Sequence, residues 1–310
     1  MRSRETNIRF IHTPAIVWGI FLIVVILLLV AMCGHSVFAA SQKGLTVSPL
    51  RTELTVEPGR SVTKEMRVTN RSDQPIEVSM SAKVFKTVND QYDYAFIDRQ
   101  NDGGEPGDWV RFENRTFTLA SNKSTLLRYQ LAVPLKAEPG GRYISVFAST
   151  LASESTTNAE PSLQQVGSLL YVTVAGDVTR TGSLLGFTAP KVTTKDIAWS
   201  AQIRNSGSTH FRTKYVATVS SMFGMRVGEA AGDALILPGT VRLVSDTISI
   251  KTPGIYRIDY VLGLGDSPAH KYTMWVVYMP VYATVIAVIS VGSLLLGGFS
   301  VYKRKKRRVH

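Results

Sequence analysis

The residues best placed to do chemistry in this chain are carboxylates. Asp90, Asp93, Asp98, Asp102, Glu105 and Asp108 fall within one stretch, roughly residues 89–108, and Trp109 follows at once. A close pair such as Asp90 and Asp93 has the residue type that glycoside hydrolysis needs, one carboxyl protonated and one ionised. Asp98 to Glu105, with Gly103 and Gly104 between them, offers the several oxygens that a hard cation such as calcium takes. The spacing fits no EF-hand, and nothing nearby supplies the apolar surroundings that would raise a carboxyl pKa. The stretch reads first as a solvated hairpin tip. As a binding surface it puts forward Asp98, Asp102, Asp108 and Trp109, with Trp109 also a candidate for the core.

Other reaction classes lack their residues. Cys33, the single cysteine, lies in an N-terminal apolar run, so the segment beyond it has neither a thiol nor a disulfide. His210 and His270 each sit in a turn-like segment with no H-x-x-x-H array, so no zinc pattern forms, and both read as turn residues. No G-x-S-x-G elbow and no phosphate-cradling glycine loop occurs; Gly182, Gly186, Gly263 and Gly265 read as strand-end glycines. No catalytic, cofactor or metal residue is expected. Asn70, Asn114 and Asn122 match N-x-S/T, a weak signal in a Ser/Thr-rich chain. The formal net charge is +12, but Lys303 to Arg308 supply six cations and Arg2, Arg4 and Arg9 with Glu5 a further net two. The rest is spread thinly over residues 41–277, which argues against a nucleic-acid partner.

The element that places everything else is the C-terminal run. No residue from Met279 to Tyr302 is charged. A helix over that run rises about 35 Å, against a hydrocarbon core of about 30 Å. Pro280 suits the first helical turn, and Tyr278, Tyr282 and Tyr302 suit the interfaces. The expectation is a transmembrane helix over 279–302 with a basic cytoplasmic tail, 303–310. At the other end, three arginines, an apolar heart from Ala15 to Met32 and Val37-Phe38-Ala39 read as a signal peptide over 1–39, cleaved after Ala39. An uncleaved second anchor is the alternative; lipidation at Cys33 is disfavoured by the bulk of Met32. The chain is thus expected at the cell membrane, single-pass, with an extracytoplasmic ectodomain.

That ectodomain has a period of two. Ile76, Val78, Met80, Ala82 and Val84 alternate with polar residues, as do Val62, Met66 and Val68, then Leu127, Tyr129, Leu131 and Val133. Gln165 to Val174 is more continuously apolar, like a strand buried on both faces. Pro58-Gly59, Asn70 to Asp73 and Pro139-Gly140-Gly141 punctuate these runs. A second set follows: Ile197 to Ile203, Tyr215 to Val219, Leu243 to Ile250, Ile255 to Leu262 and Tyr272 to Val277. The strand-then-Asn turn at Asn70 recurs at Asn205. The fold class expected is all-β: two immunoglobulin-like β-sandwiches, over 44–178 and 184–277.

Val56-Glu57-Pro58-Gly59-Arg60-Ser61, Arg67-Val68-Thr69-Asn70 and Pro75-Ile76-Glu77-Val78 resemble the opening of pilus-chaperone-type immunoglobulin-like domains. Trp109-Val110, Val133-Pro134 and Pro139 to Phe147 resemble the N-terminal domain of WxL-interacting surface proteins of Gram-positive bacteria. That resemblance implies a non-catalytic protein binding peptidoglycan of the cell wall or another surface protein. Asn205 to His210, Ile236-Leu237-Pro238-Gly239, Pro253-Gly254-Ile255-Tyr256 and Met274-Trp275 up to Pro280 resemble the membrane-proximal immunoglobulin-like domain of such anchored proteins, though the domain is shorter than that family's partner-binding one. The competing expectations are a membrane-tethered pilus-chaperone-like assembly factor using β-strand addition and, more remotely, a wall-modifying enzyme.

Overall fold

The computed structural model describes residues 44–97, 105–150, 164–286 and 288–293. The expected signal peptide, the acidic residues Asp98 and Asp102, and the expected span beyond residue 293 with its basic tail lie outside them.

Among the described residues the first sandwich has ten strands. One sheet runs β1 (Leu45–Ser48), β3 (Ser61–Asn70), β8 (Ser124–Ala132), β6 (Val110–Phe112). The other runs β2 (Arg51–Val56), β10 (Gln165–Val174), β9 (Gly140–Thr150), β4 (Ile76–Thr87), β5 (Tyr94–Ile97), with β7 (Thr116–Leu119) also on β4. The first strand switches sheets: β1 pairs antiparallel with β3, and after Pro49 and Leu50 β2 pairs parallel with β10. The alternating positions fill the space between the sheets, where Met66, Val68, Val78, Leu131, Ile144, Val146, Leu170 and Val172 are buried together. Trp109 closes the 3-10 turn Pro106–Trp109 and packs into the same core.

The second sandwich pairs a three-stranded sheet with a five-stranded one. The first is β11 (Gly182–Thr188), β13 (Ile197–Asn205), β16 (Val241–Ile248). The second is β12 (Val192–Thr193), β18 (Ser267–Tyr278), β17 (Gly254–Leu264), β14 (Phe211–Ser221), β15 (Arg226–Ile236). Ile197, Trp199, Ile203, Val219, Ile236, Ile258 and Val276 fill it. Its core does not stop at the sandwich: Phe85, Tyr92 and Tyr171 of the first sandwich belong to the same buried cluster.

β18 leads, through Met279 and Pro280, into helix over 281–286 and 288–293. Among the described residues no helix is long and apolar enough to cross a membrane.

Candidate functional site

Tyr171 and Thr173 sit on β10 at the parity opposite to Leu170, Val172 and Val174. The latter three face the first core; Tyr171 and Thr173 face the second sandwich and are also buried. The continuous apolar character of this strand therefore has a concrete cause: a second body covers its outer face. Opposite it stand Thr209 and His210, just before β14. Thr173 and Thr209 share a hydroxyl hydrogen bond of 3.0 Å, and the Tyr143 hydroxyl lies 3.3 Å from His210 Nδ1. The Gly141 amide donates to the Ser208 carbonyl at 2.9 Å. Tyr171 meets Phe85 edge-on at 5.6 Å and the His210 ring at 5.7 Å, geometries favoured by the ring quadrupoles.

A second lock lies at the turn after β4. The Tyr92 hydroxyl accepts from the Leu237 amide at 2.7 Å and shares a hydrogen bond with Thr240 Oγ1 at 2.7 Å. The Arg242 guanidinium lies 4.3 Å from the Tyr92 ring centroid, within cation–π range. The Leu243 amide donates to the Asp90 carbonyl at 2.7 Å, and Gln202 Nε2 donates to the Asp90 carboxylate at 3.4 Å. This corrects the solvated-tip reading at two positions: Asp90 and Tyr92 dock on the neighbouring sandwich, while Asn89, Gln91 and Asp93 are exposed. His210 is likewise no solvated turn residue but is buried, whereas His270 is exposed.

Beside these locks the two sandwiches leave a polar cleft of about 450 Å³. Glu53 and Thr55 of β2 line it, with Thr173, Arg180, His210, Arg212 and Asp266. Arg212 bonds both Glu53 across the junction and Asp233 on β15, and these partners, Glu53 foremost, hold its pKa above the ordinary value. Gly265, with φ of +68°, turns the chain into Asp266 so tightly that a side chain would collide with the Arg180 carbonyl. Burial, with Arg180 and Arg212 nearby, lowers the His210 pKa, and Glu53 opposes that shift. Burial pushes the Tyr92, Tyr143 and Tyr171 hydroxyls up. The cleft offers both charge signs and hydroxyls, which suits a polar or charged segment better than an apolar ligand.

Of the residues put forward from sequence, Trp109 is in the first core, only 8% exposed. Asp108 is half-buried in the preceding 3-10 turn. Asp98 and Asp102 lie outside the described residues. No three His, Cys, Asp or Glu residues group as metal ligands among the described residues. Sequence reasoning missed Tyr92, Glu53, Arg212 and the role of His210. The only signal for them was the doubly apolar run at β10.

No protein-family model matches the sequence, and no curated protein does. Among solved structures the chain is similar to a class 5 fimbriae chaperone, CfaA, at 15% identity over 76% of this chain and 99% of that one, with a TM-score of 0.38. It is similar to the CsuC–CsuE chaperone–tip adhesion subunit complex from Csu pili of Acinetobacter baumannii, at 11% identity over 76% and 99%, TM-score 0.35. It is also similar to the Salmonella enterica SafA pilin in complex with the SafB chaperone, at 13% identity over 76% and 99%, TM-score 0.35. At these values neither partner nor mechanism transfers. The resemblance to WxL-interacting proteins finds no counterpart among the family models.

Proposed function

We propose that this chain is a membrane-anchored surface protein whose first sandwich captures an extended segment of another surface protein by β-strand addition. The observation that carries the capture is the half-open edge of β10. β2 covers Leu169–Val174. Gln165 to Gly167 pair with β9 on one side and, among the described residues, have no ladder partner on the other, whereas Ser168 is buried and donates its hydroxyl to the Pro49 carbonyl. Such an edge supplies main-chain hydrogen bonds for affinity and alternating pockets for specificity.

The anchor is supported by the helix after Pro280. Val281, Val285, Ile286, Val288 and Ile289 are all at least half exposed, a solvation that water penalises and lipid does not. Its hydroxyls bond inward: Thr284 to the Pro280 carbonyl, Ser290 to Ile286 and Ser293 to Ile289, as a helix in hydrocarbon requires. The junction residues Thr209 and Asp266 stand at one end of the strands β14 and β18, and the helix leaves from the other. The first sandwich is thus held on the far side of the second from the bilayer.

The capture is tested by placing a photo-crosslinking residue at the exposed Gln165 or at Leu135, which is 80% exposed at the opposite end of the same sandwich, in the full chain in its native membrane. One dominant surface protein should crosslink from position 165 and not from 135. Equal crosslinking from both, or none, overturns the capture. Cosedimentation with purified peptidoglycan would then favour the wall-binding reading.

A further inference from the structure

Membrane contact on this chain extends beyond the helix. In the second sandwich one row of the register crosses four strands: Trp275 faces Arg257, Arg257 faces Ser220, and Ser220 faces Arg226. Past this row β18 runs three residues to Tyr278 before the helix begins. Past the same row β14 ends at Ser221 and turns through Met222, Phe223 and Gly224 to Met225. At about 3.3 Å per residue, both excursions reach a similar level, and the two strand spacings between them amount to roughly 10 Å. The β14–β15 turn therefore stands beside the start of the helix.

The turn is ordered and apolar. The Ser221 amide donates to the Met225 carbonyl at 2.8 Å, and the Gly224 amide to the Ser221 carbonyl at 2.9 Å. Gly224 takes the positive φ of 83° that closes it. Yet Phe223 is 81% exposed and Met225 65%, with Met222 also exposed, and nothing among the described residues covers them. Cations outnumber acids at this end of the sandwich. No Asp or Glu occurs in residues 219–228, 247–258 or 274–286, while Arg226, Lys251 and Arg257 do; the β12–β13 segment beside the end of β18 adds Lys191 and Lys195 and one exposed acid, Asp196. Arg226 and Arg257 are ion-paired with Glu229 and Asp259 one strand-step back; Lys251 stands in the loop whose carbonyl accepts from the Tyr282 hydroxyl at 3.3 Å. Trp275, on the outer face and 53% exposed, is the residue type that favours the bilayer interface.

We infer that the Met222–Met225 turn dips into the headgroup–acyl boundary of the bilayer, a second membrane contact beside the helix. The inference rests on the anchored reading above. An apolar tip at an end where cations outnumber carboxylates matches an anionic lipid surface.

The full chain carrying Cys33→Ser provides a background for single cysteines at Phe223, Leu135 or Val285, each labelled with an environment-sensitive fluorophore. The variants are reconstituted in phosphatidylethanolamine–phosphatidylglycerol vesicles containing a lipid with a nitroxide high on the acyl chain, at about one chain per vesicle. The label at 223 should be quenched at least about twofold more than the label at 135, and 285 should be quenched as well. Quenching at 285 but not at 223 overturns the inference and leaves the anchor standing. A blue shift at 223 without quenching assigns the turn to a protein contact and overturns it too. Quenching at 223 without 285 supports the contact and overturns the anchor.

Discussion

Asn70 and Asn205 do the same work in the two sandwiches. Both are fully buried at a strand end. Asn70 Nδ2 donates to the carbonyls of Gln74 at 2.8 Å and Leu119 at 3.1 Å, and its Oδ1 accepts from the Ser72 amide at 2.9 Å. Asn205 Nδ2 donates to Thr209 and Ile236, each at 2.9 Å, and its Oδ1 accepts from the Gly207 amide at 2.8 Å. Removing either amide strands buried backbone groups. Asn70→Ala and Asn205→Ala should each cost about 2–3 kcal/mol in chemical denaturation, well above the loss at an exposed asparagine. Tyr260 is the converse case. Its hydroxyl is buried without a partner among the described residues, and burial pushes its pKa up to about 12. Tyr260→Phe should leave the melting temperature unchanged or raise it. His210 sets a pH dependence with a definite sign. An unfolded histidine takes a proton near pH 6.5, whereas the folded one takes it only lower because its pKa is lowered. Its contribution is complete above about pH 6.5 and is lost as pH falls toward the folded value. His210→Gln should flatten the acid side of the stability profile in that window. The repeated strand-then-Asn turn was visible in the sequence. The partner carbonyls of Leu119 and Ile236 were not, because those long-range contacts leave no local periodicity.

Among the elements, the docking turn after β4 is the one whose conformation shows its load. Tyr92 has a positive φ of 70°, a region that costs a non-glycine residue free energy unless its surroundings hold it. The Leu237 amide, Thr240 and Arg242 do the holding. Tyr92→Phe leaves the Leu237 amide without its acceptor, so hydrogen exchange there should quicken by about tenfold or more. Strands with strong alternation were legible in advance. Ile76 to Val84 lies inside β4, Ile197 to Ile203 inside β13, and Gln165 to Val174 coincides with β10. β15 was not foreseen, because its inward positions are glycine and alanine, too small to register as an apolar face. β11, interrupted by Gly186 and a register shift after Leu184, was missed for a similar reason. The docking of Asp90 and Tyr92 was not legible because charge predicts solvation, while the docking uses the Asp90 carbonyl and carboxylate and a tyrosine hydroxyl.

For the whole molecule, two sandwiches and the junction between them make one unit of residues 43–310, with few free joints along it. The connection from β18 to the helix is Met279 and Pro280 alone, and Tyr282 ties the first helical turn back to Lys251. β18 has twelve residues, a length of about 40 Å. Under the anchored reading the molecule stands like a mast stepped directly into a deck. Leaning its foot by about 10° swings the far end of that strand sideways by about 7 Å. Helix lean follows hydrocarbon thickness, so a thicker or thinner bilayer would re-aim the capturing edge without altering a single contact inside it.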